Sequence, residues 1–269
     1  MNGEVTAKPF LRWAGSKRQL LPKLIDLAPK TFNRYWEPFL GSGSLYFALR
    51  PERATLSDIN PDLIEVFHNV KNAPTMTHNH YSFINTDRET YYTIRAIDPQ
   101  TLSSVERAAR FIYLNRLCFN GLYRTNLNNK FNVPYGAHKA GALPPLASII
   151  SCAEVLANAH LVHGDFESIL NLTEPGDFVF LDPPYISNGT RIFKEYGPSI
   201  FMEKDVLRLV NQLHNLDDKG VKFILTFVDT KQARELFSNW RLGRAIIKRN
   251  IAGFAKDRKN KSEIVIRNY

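Results

Sequence analysis

Residues 176–189 read GDFVFLDPPYISNG, and this stretch decides the fold. Four apolar residues, from Phe178 to Leu181, lie between Gly176 and a pair of prolines, a pattern typical of a short buried strand. Asp182 then stands at the carboxyl end of that strand. The pattern predicts an α/β fold. Because ligands of open α/β sheets bind at the carboxyl ends of the strands, Asp182 is a candidate functional residue.

Apolar stretches on both sides of this strand extend the prediction. Helical patterns separate most of them, which favours parallel pairing, whereas the last two follow each other without a helix and should pair antiparallel. We predict a mixed, mostly parallel sheet of seven strands with a Rossmann-like arrangement. The other six stretches are NRYWEPF, ATLSDIN, HLVHGD, VKFILTFV, RAIIKRNI and SEIVIRNY.

The middle of the chain has a different character, with long helical patterns and polar loops. We therefore divide the chain into a sheet domain, residues 1–62 and 158–269, and an inserted helical domain, residues 63–157. The insertion should project from the carboxyl ends of the strands.

The charge of the chain points to a polyanionic partner. The 269 residues include 35 Lys and Arg against 26 Asp and Glu, which gives a formal net charge of +9. Nucleic acid is the first candidate, and a protein that is basic without such a partner is the alternative. The beginning of the sequence shows no leader pattern and no apolar run approaches membrane-spanning length, so we expect a cytoplasmic protein with no membrane partner.

Few residues suggest a metal or a disulfide. The two cysteines, Cys118 and Cys152, are far apart in apolar surroundings and are expected to be buried thiols. His78 and His80 flank one asparagine, without further ligands nearby in the sequence. We expect this pair to lie in a solvated loop, and we predict no metal site.

A glycine-rich turn follows the first predicted strand. EPFLGSGS, residues 37–44, places Gly41 and Gly43 where that strand turns into a helix, so that backbone amides can approach a ligand. A plain turn is the alternative. Asp58 ends the next strand, where a carboxylate can bind a ribose diol. The two features together predict a cofactor that contains adenosine.

Two further motifs lie near strand ends. FLRWAGSKRQL, residues 10–20, combines Trp13, a turn of small residues and Lys17; a surface loop is the alternative. HGDFESI, residues 163–169, supplies Asp165 and Phe166, which suit an amino group and the face of an adenine ring. Asp165 is equally well placed to cap a helix.

The chemistry of DPPY explains why an acid precedes two prolines. If Asp182 and the carbonyl of Pro183 accept hydrogen bonds from an exocyclic amino group, the lone pair of its nitrogen is freed from the ring and the nitrogen becomes a nucleophile. Pro184 makes the backbone rigid, and Tyr185 can stack on a planar base. A methyl sulfonium in line would complete a displacement. A structural Asp-Pro turn is the alternative.

The ordered set FLRWAGSK, EPFLGSGS, SDIN, GDF and DPPY resembles the Dam-type (D12 class) DNA adenine-N6 methyltransferases. The resemblance covers nearly the whole chain and implies S-adenosylmethionine as the cofactor, double-stranded DNA as the partner and a bacterial or phage-like origin. It implies a catalytic set of Asp182, Pro183, Pro184 and Tyr185. It implies a cofactor-binding set of Trp13, Ala14, Gly15, Lys17, Glu37, Pro38, Phe39, Gly41, Gly43, Asp58, Ile59, Asp165, Phe166 and Asp182.

The resemblance extends into the insertion. Residues 114–136, LNRLCFNGLYRTNLNNKFNVPYG, are similar to the segment with which the family reads GATC. Arg124 would read a guanine, Pro134 would touch a thymine methyl, and Arg12 falls where the family has a lysine that contacts a guanine. A basic loop that reads no sequence is the alternative. The implied DNA-binding set is Arg12, Asn120, Leu122, Arg124, Asn126, Asn132, Pro134 and His138.

Three departures bear on the target sequence. Phe119 replaces a tyrosine, Ser16 replaces a glycine, and AHKAGALPP after Gly136 differs from the usual continuation, with His138 as a substitute contact. We predict GATC, with a longer site that contains GAT as the alternative.

The function predicted is adenine-N6 methylation of a flipped-out base. Methylation of cytosine at N4 and a non-catalytic DNA-binding protein on the same fold are the alternatives. A restriction endonuclease, if one is paired with this protein, must be a separate chain, and the sequence does not fix the oligomeric state. In the loop 187–201, Phe193 and Tyr196 are candidates for a lid over the base, and an ordinary solvated connection is the alternative.

Overall fold

The computed structural model describes residues 7–126, 128–184, 201–247 and 261–269. These residues form a seven-stranded sheet in the order β3-β2-β1-β4-β5-β7-β6. The first five strands in this order pair in parallel and the last two pairings are antiparallel. The strands are β1 (Tyr35–Glu37), β2 (Ala54–Asp58), β3 (Ala159–His163), β4 (Phe178–Leu181), β5 (Lys222–Val228), β6 (Arg241–Ile247) and β7 (Lys261–Arg267). The predicted mixed sheet is confirmed.

Strand β4 lies at the centre of the sheet, between β1 and β5. All four of its residues are buried, because helices cover both faces of a parallel sheet and a central strand is then apolar throughout. Phe178 and Phe180 belong to the core on one face, and Val179 and Leu181 to the core on the other. Burial on both faces fixes the position of Asp182, the next residue.

Ten helices are described, in two layers and an insertion. Helices α1 to α3 and the insertion contribute to the core on one face of the sheet, and α8 to α10 to the core on the other. The helices are α1 (Leu21–Leu27), α2 (Ser44–Leu49), α3 (Pro61–Asn72), α4 (Pro74–Ser82), α5 (Arg88–Ala96), α6 (Ser104–Leu117), α7 (Leu146–Leu156), α8 (Phe166–Leu170), α9 (Glu203–Asp218) and α10 (Lys231–Leu236).

The chain between β2 and β3 is mostly helical, as its pattern indicates. Helix α3 packs against β2 and β3 as well as against α6 and α7, so it joins the sheet to the helices beyond it. After α6 the chain forms a hairpin, residues 118–135, with bridges between Cys118 and Tyr135 and between Thr125 and Phe131. The division at residues 63 and 157 stays a prediction.

The expectation for His78 and His80 is wrong. Both lie in helix α4 rather than in a loop, because Pro74 suits the first turn of a helix and Tyr81 is buried against the core. The His78 ring packs edge-on against Tyr81, with ring centroids 5.1 Å apart.

Three further properties concern the described part of the chain. Cys118 and Cys152 are buried free thiols, as predicted. No group of three or more His, Cys, Asp or Glu residues there is arranged to hold a metal ion. Nor does any helix in these ranges have the length and apolarity needed to cross a membrane.

Candidate active site

Asp182 lies directly after β4 and is held by residues from two distant parts of the chain. The Nζ of Lys17 is 2.7 Å from its Oδ1. The hydroxyl of Thr226, on the neighbouring strand β5, donates to the same oxygen at 2.8 Å. The Asp182 side chain keeps 20% of its surface exposed, so the acid is fixed on one side and accessible on another.

Lys17 is buried, although charged residues usually lie at the surface. Its ammonium group donates to the carbonyl of Gly15 at 2.9 Å and lies 3.7 Å from the buried carboxylate of Glu263 on β7. A buried charge is stabilised when it is paired and hydrogen-bonded. Lys17 therefore anchors the turn before α1 at the edge of the sheet.

The glycine turn and the acid of the next strand are in direct contact. The backbone N–H of Gly41 donates to Oδ2 of Asp58 at 3.1 Å, and the N–H of Asn60 donates to Oδ1 at 3.0 Å. Gly41 has a φ of +49°, and a Cβ there would lie 2.8 Å from the Trp13 ring. The left-handed backbone and the close ring both require glycine at this position.

Two carboxyl groups at this edge have raised pKa values. Burial raises the pKa of Glu37 to about 8, a hydrogen bond from Tyr35 opposes the shift, and the negative charge of Asp182 adds to it. Burial also raises the pKa of Asp58 to about 6, against the effect of the N–H groups of Gly41 and Asn60. Glu37 is therefore largely protonated at neutral pH, which reduces repulsion around Asp182.

Asp165 and Phe166 begin α8 and pack against an arginine of α9. The side chain of Asp165 accepts from the N–H of Glu167, which confirms the helix-cap interpretation. Its Oδ1 is also 2.5 Å from a guanidinium nitrogen of Arg208. The Phe166 ring stacks on Phe39 with centroids 5.3 Å apart, and the Arg208 Cζ lies 4.9 Å from its centroid.

These contacts change what the side chains can offer an adenine ring. Phe166 is 4% exposed, so little of the ring face that the sequence suggested remains open to a ligand. Ile59, directly after β2, is 44% exposed. Of these two apolar side chains, Ile59 is the more accessible.

The hairpin, residues 118–135, brings several of the predicted DNA-binding residues together. The Arg124 Nε donates to Oδ1 of Asn132 at 2.7 Å. The Oδ1 of Asn126 accepts from the N–H groups of Asn128 and Lys130, each at 3.0 Å, so Asn126 stabilises the turn. Asn120 has a positive φ of 57°, Leu122 is half-buried, and Pro134 and His138 are exposed.

Arg12 joins the start of the chain to the insertion. One of its guanidinium nitrogens donates to the carbonyl of Lys139 at 2.8 Å and approaches that of Arg116 at 3.3 Å. A Cβ on Gly121 would lie 2.3 Å from Arg12 Cβ, and one on Gly141 would lie 3.0 Å from its Cδ. Arg12 is therefore enclosed by two glycines, which ties it to the insertion whether or not it also contacts a base.

An aromatic stack connects the cofactor motifs to the hairpin. The Trp13 ring, which covers Gly41, stacks on Tyr123 with centroids 5.7 Å apart and planes within 20°. The hydroxyl of Tyr123 donates to Asp62 at the start of α3, at 2.9 Å. Tyr123 stands between two predicted DNA-binding residues, Leu122 and Arg124, so this stack makes the two candidate sites neighbours.

A comparison with protein families identifies the family of this chain. A model of the family described as D12 class N6 adenine-specific DNA methyltransferase matches residues 13–251, which include every motif above from Trp13 to Asp182. The chain belongs to this family. The predicted enzyme class and adenine-N6 assignment are confirmed, and a member of the family acts on DNA with a methyl donor.

Relatives cover almost the whole length of this D12-class chain. The type II methyltransferase M1.LlaDCHI of Lactococcus lactis subsp. cremoris is 36% identical, over 99% of this chain and 97% of that protein. The type II methyltransferase M.MjaIII of Methanocaldococcus jannaschii is 32% identical, over 97% and 99%. The DNA adenine methylase of Haemophilus influenzae is 30% identical, over 96% and 92%.

Two residues of this methyltransferase that contact the predicted site were missed by sequence reasoning. Thr226 is the one polar residue in the apolar run FILTFV, a signal that could have been used. Arg208 contacts Asp165 and Glu167 from α9, and no local pattern indicates these partners, which lie about 40 positions away. Tyr185, Phe193 and Tyr196 lie outside the described residues.

Proposed function

We propose that this enzyme transfers a methyl group from S-adenosylmethionine to the amino nitrogen of an adenine flipped out of double-stranded DNA, within GATC. One observation carries the proposal. The segment from Trp13 to Lys17 contacts the glycine turn at one end and Asp182 at the other. Four positions of chain span at most about 14 Å between Cα atoms, so the turn and Asp182 belong to the same edge of the sheet, as transfer from a donor at the turn to an adenine at Asp182 requires.

The residues at the turn fit an adenosine-containing cofactor. Gly41 presents a turn without a side chain, and the carboxylate oxygens of Asp58, each of which accepts one backbone N–H, have further lone pairs for ribose hydroxyls. Asp165 would accept from the adenine amino group, and Ile59 would lie against the ring. When bound, the cofactor supplies an electrophilic methyl group on a sulfonium.

The protein's part of the reaction takes place at Asp182. Its carboxylate and the carbonyl of Pro183 accept the two N–H bonds of the target amino group, which localises the nitrogen lone pair. Pro184 has no backbone N–H to compete for these acceptors and makes their position rigid. Lys17 pairs with the carboxylate at 2.7 Å and holds it in position. As the N–C bond forms, the bond between the methyl carbon and the donor sulfur would break, and the Asp182 carboxylate would take up the proton that the nitrogen loses.

Two features support GATC as the target. The relatives that carry the name DNA adenine methylase align over most of this chain, and the hairpin presents Arg124, whose guanidinium suits a guanine edge. The region around Phe119 and His138 departs from the family pattern, and a longer site that contains GAT is the alternative outcome. An enzyme acting on DNA is expected in the cytoplasm, where bacterial or phage DNA is.

The test is transfer of a labelled methyl group from S-adenosylmethionine to unmethylated duplex DNA, with the modified base and its neighbours identified. Duplexes that contain GATC, each single-base variant of it, and no such site provide the comparison. Methyladenine confined to GATC is the expected result. Methyladenine at another sequence overturns the target assignment, and transfer to cytosine or no transfer overturns the proposed activity. Methylated DNA should also resist a restriction endonuclease that cuts unmethylated GATC.

A further inference from the structure

We infer that Thr226 is a positioning residue that, together with Lys17, commits Oδ1 of Asp182 and leaves Oδ2 to accept the target amino group. The inference rests on the proposed function, because it concerns the same acid. It adds a residue that no motif contains and assigns different roles to the two carboxylate oxygens.

The sheet register places Thr226 beside Asp182. Leu181 on β4 pairs with Leu225 on β5, so the next residue of each strand is adjacent to that of the other. Thr226 is fully buried. Its Oγ1 lies 2.8 Å from Oδ1 of Asp182 and 3.4 Å from the carbonyl oxygen of Leu181. A hydroxyl has one proton, and the shorter contact to a charged acceptor is the stronger bond.

The contacts that described residues make with the Asp182 carboxylate converge on a single oxygen. Thr226 donates to Oδ1 at 2.8 Å and the Lys17 ammonium lies 2.7 Å from the same atom. Rotation about the last side-chain bond of aspartate is soft and exchanges two equivalent oxygens. Two donors on Oδ1 therefore fix the rotation of the carboxylate group, and Oδ2 then points in one direction.

Thr226 supplies a constraint that Lys17 cannot supply alone. Lysine has a long, flexible stem and a compact charge without directional preference, and Lys17 also contacts Gly15 and Glu263. Threonine is β-branched with a restricted side-chain rotamer, and it is anchored in a central strand. Rigid elements hold catalytic geometry more accurately than flexible side chains do. The hydroxyl therefore fixes direction, while the lysine supplies charge.

The experiment compares Thr226→Val, which keeps the shape and removes the hydroxyl, with Thr226→Ser, which keeps the hydroxyl. Single-turnover methylation is measured with saturating S-adenosylmethionine and DNA, beside the dissociation constants of both and the unfolding temperature. Thr55→Val is the matched control, because Thr55 is a buried strand threonine whose hydroxyl contacts Arg34.

We expect Thr226→Val to lower the single-turnover rate by about tenfold to a hundredfold, the effect of losing a hydrogen bond to a charged group. Both dissociation constants should stay within about twofold, and Thr226→Ser should retain most of the rate. A rate for Thr226→Val within about twofold of the wild type overturns the inference.

One further comparison keeps the inference testable. If Thr226→Val does not fold, Thr226→Ser is compared with Thr226→Ala, which share the loss of the methyl group and differ only in the hydroxyl. Equal rates for that pair overturn the inference, and a faster serine variant supports it. Failure of the proposed function is a different result: the wild type and Thr55→Val would then not methylate adenine at all.

Discussion

The edge of the sheet around Asp182 and the hairpin of residues 118–135 are stabilised in different ways. At the sheet edge, Asp182 contacts Lys17 and Thr226, which are far from it in the sequence. In the hairpin, Arg124 contacts Asn132, and Asn126 contacts Lys130. The contacts of Asp182 depend on distant segments, whereas Arg124 and Asn126 are held by neighbours along the chain, and Tyr123 joins their hairpin to Trp13 and Asp62. The proposed chemistry thus belongs to the sheet edge, and the proposed reading of the target belongs to an element whose predicted base contacts are held locally.

The largest effect expected is the loss of methyl transfer in Asp182→Ala. Removal of the acceptor of the target amino group should lower turnover by about a thousandfold or more. DNA affinity should stay near that of the wild type, because the acid acts on a base and not on phosphates. Labelled methyl transfer and a DNA-binding titration measure the two quantities.

Asp218→Ala is the control, since Asp218 is an exposed acid at the end of α9. If Asp182→Ala loses turnover and DNA affinity equally, or keeps near-normal turnover, the sheet edge does not carry the chemistry separately from DNA binding.

The sheet edge should also make stability depend on pH. Burial raises the pKa of Glu37 from its ordinary value of 4.5 to about 8 in the folded protein. The stability that this carboxyl contributes is therefore fully present below pH 4.5 and is lost as the pH rises through 8. Relative to Glu37→Gln, the free energy of unfolding of the wild type should fall by on the order of 3 kcal/mol between pH 5 and pH 8.

Urea unfolding of both proteins at several pH values measures this difference. Glu106→Gln is the control, because hydrogen bonds from Ser103 hold the pKa of Glu106 below its usual value, so it stays ionised in this range. A difference between wild type and Glu37→Gln that does not change with pH would contradict the buried, protonated state of Glu37.

The same contrast explains how much the sequence could predict. The run from Phe178 to Leu181 and the glycines after β1 are local patterns, so the sheet and the place of Asp182 follow from them. The contact between Lys17 and Asp182 depends on how distant segments pack, and Trp13 could be recognised as part of a motif without its place over Gly41 being known. The sequence predicts the wrong environment for His78 because helix α4 has little amphipathic pattern.

The hairpin should determine target choice. Arg124→Ala is expected to reduce discrimination at one guanine by about 2 kcal/mol, the value typical of a bidentate contact, with a smaller loss of total affinity. Methylation rates on GATC and on duplexes with each guanine replaced measure this effect. Lys130→Ala, an exposed cation in the same hairpin, should instead weaken binding to all sequences equally. An equal loss on all sequences for Arg124→Ala would make it a phosphate contact.

The smallest effect tests whether the proposed cofactor contact of Asp165 depends on the position in which Arg208 holds it, as the role of Asp182 depends on Lys17 and Thr226. Arg208 pairs with Asp165 and Glu167 and packs on Phe166. Arg208→Gln should therefore free the Asp165 side chain from its present position, while the proposed site of the target base at Asp182 is unchanged. We expect the KM for S-adenosylmethionine to rise about tenfold while kcat stays within about twofold. Arg208→Lys should lie in between, because lysine keeps the charge but loses the planar, forked geometry. Arg234→Gln, which breaks the pair between Arg234 of α10 and Asp229 just after β5, should leave KM unchanged. If Arg208→Gln lowers only the unfolding temperature, the ion pairs of Arg208 stabilise the packing of α8 on α9 and have no part in cofactor binding. The rigid part of the site would then be limited to the surroundings of Asp182.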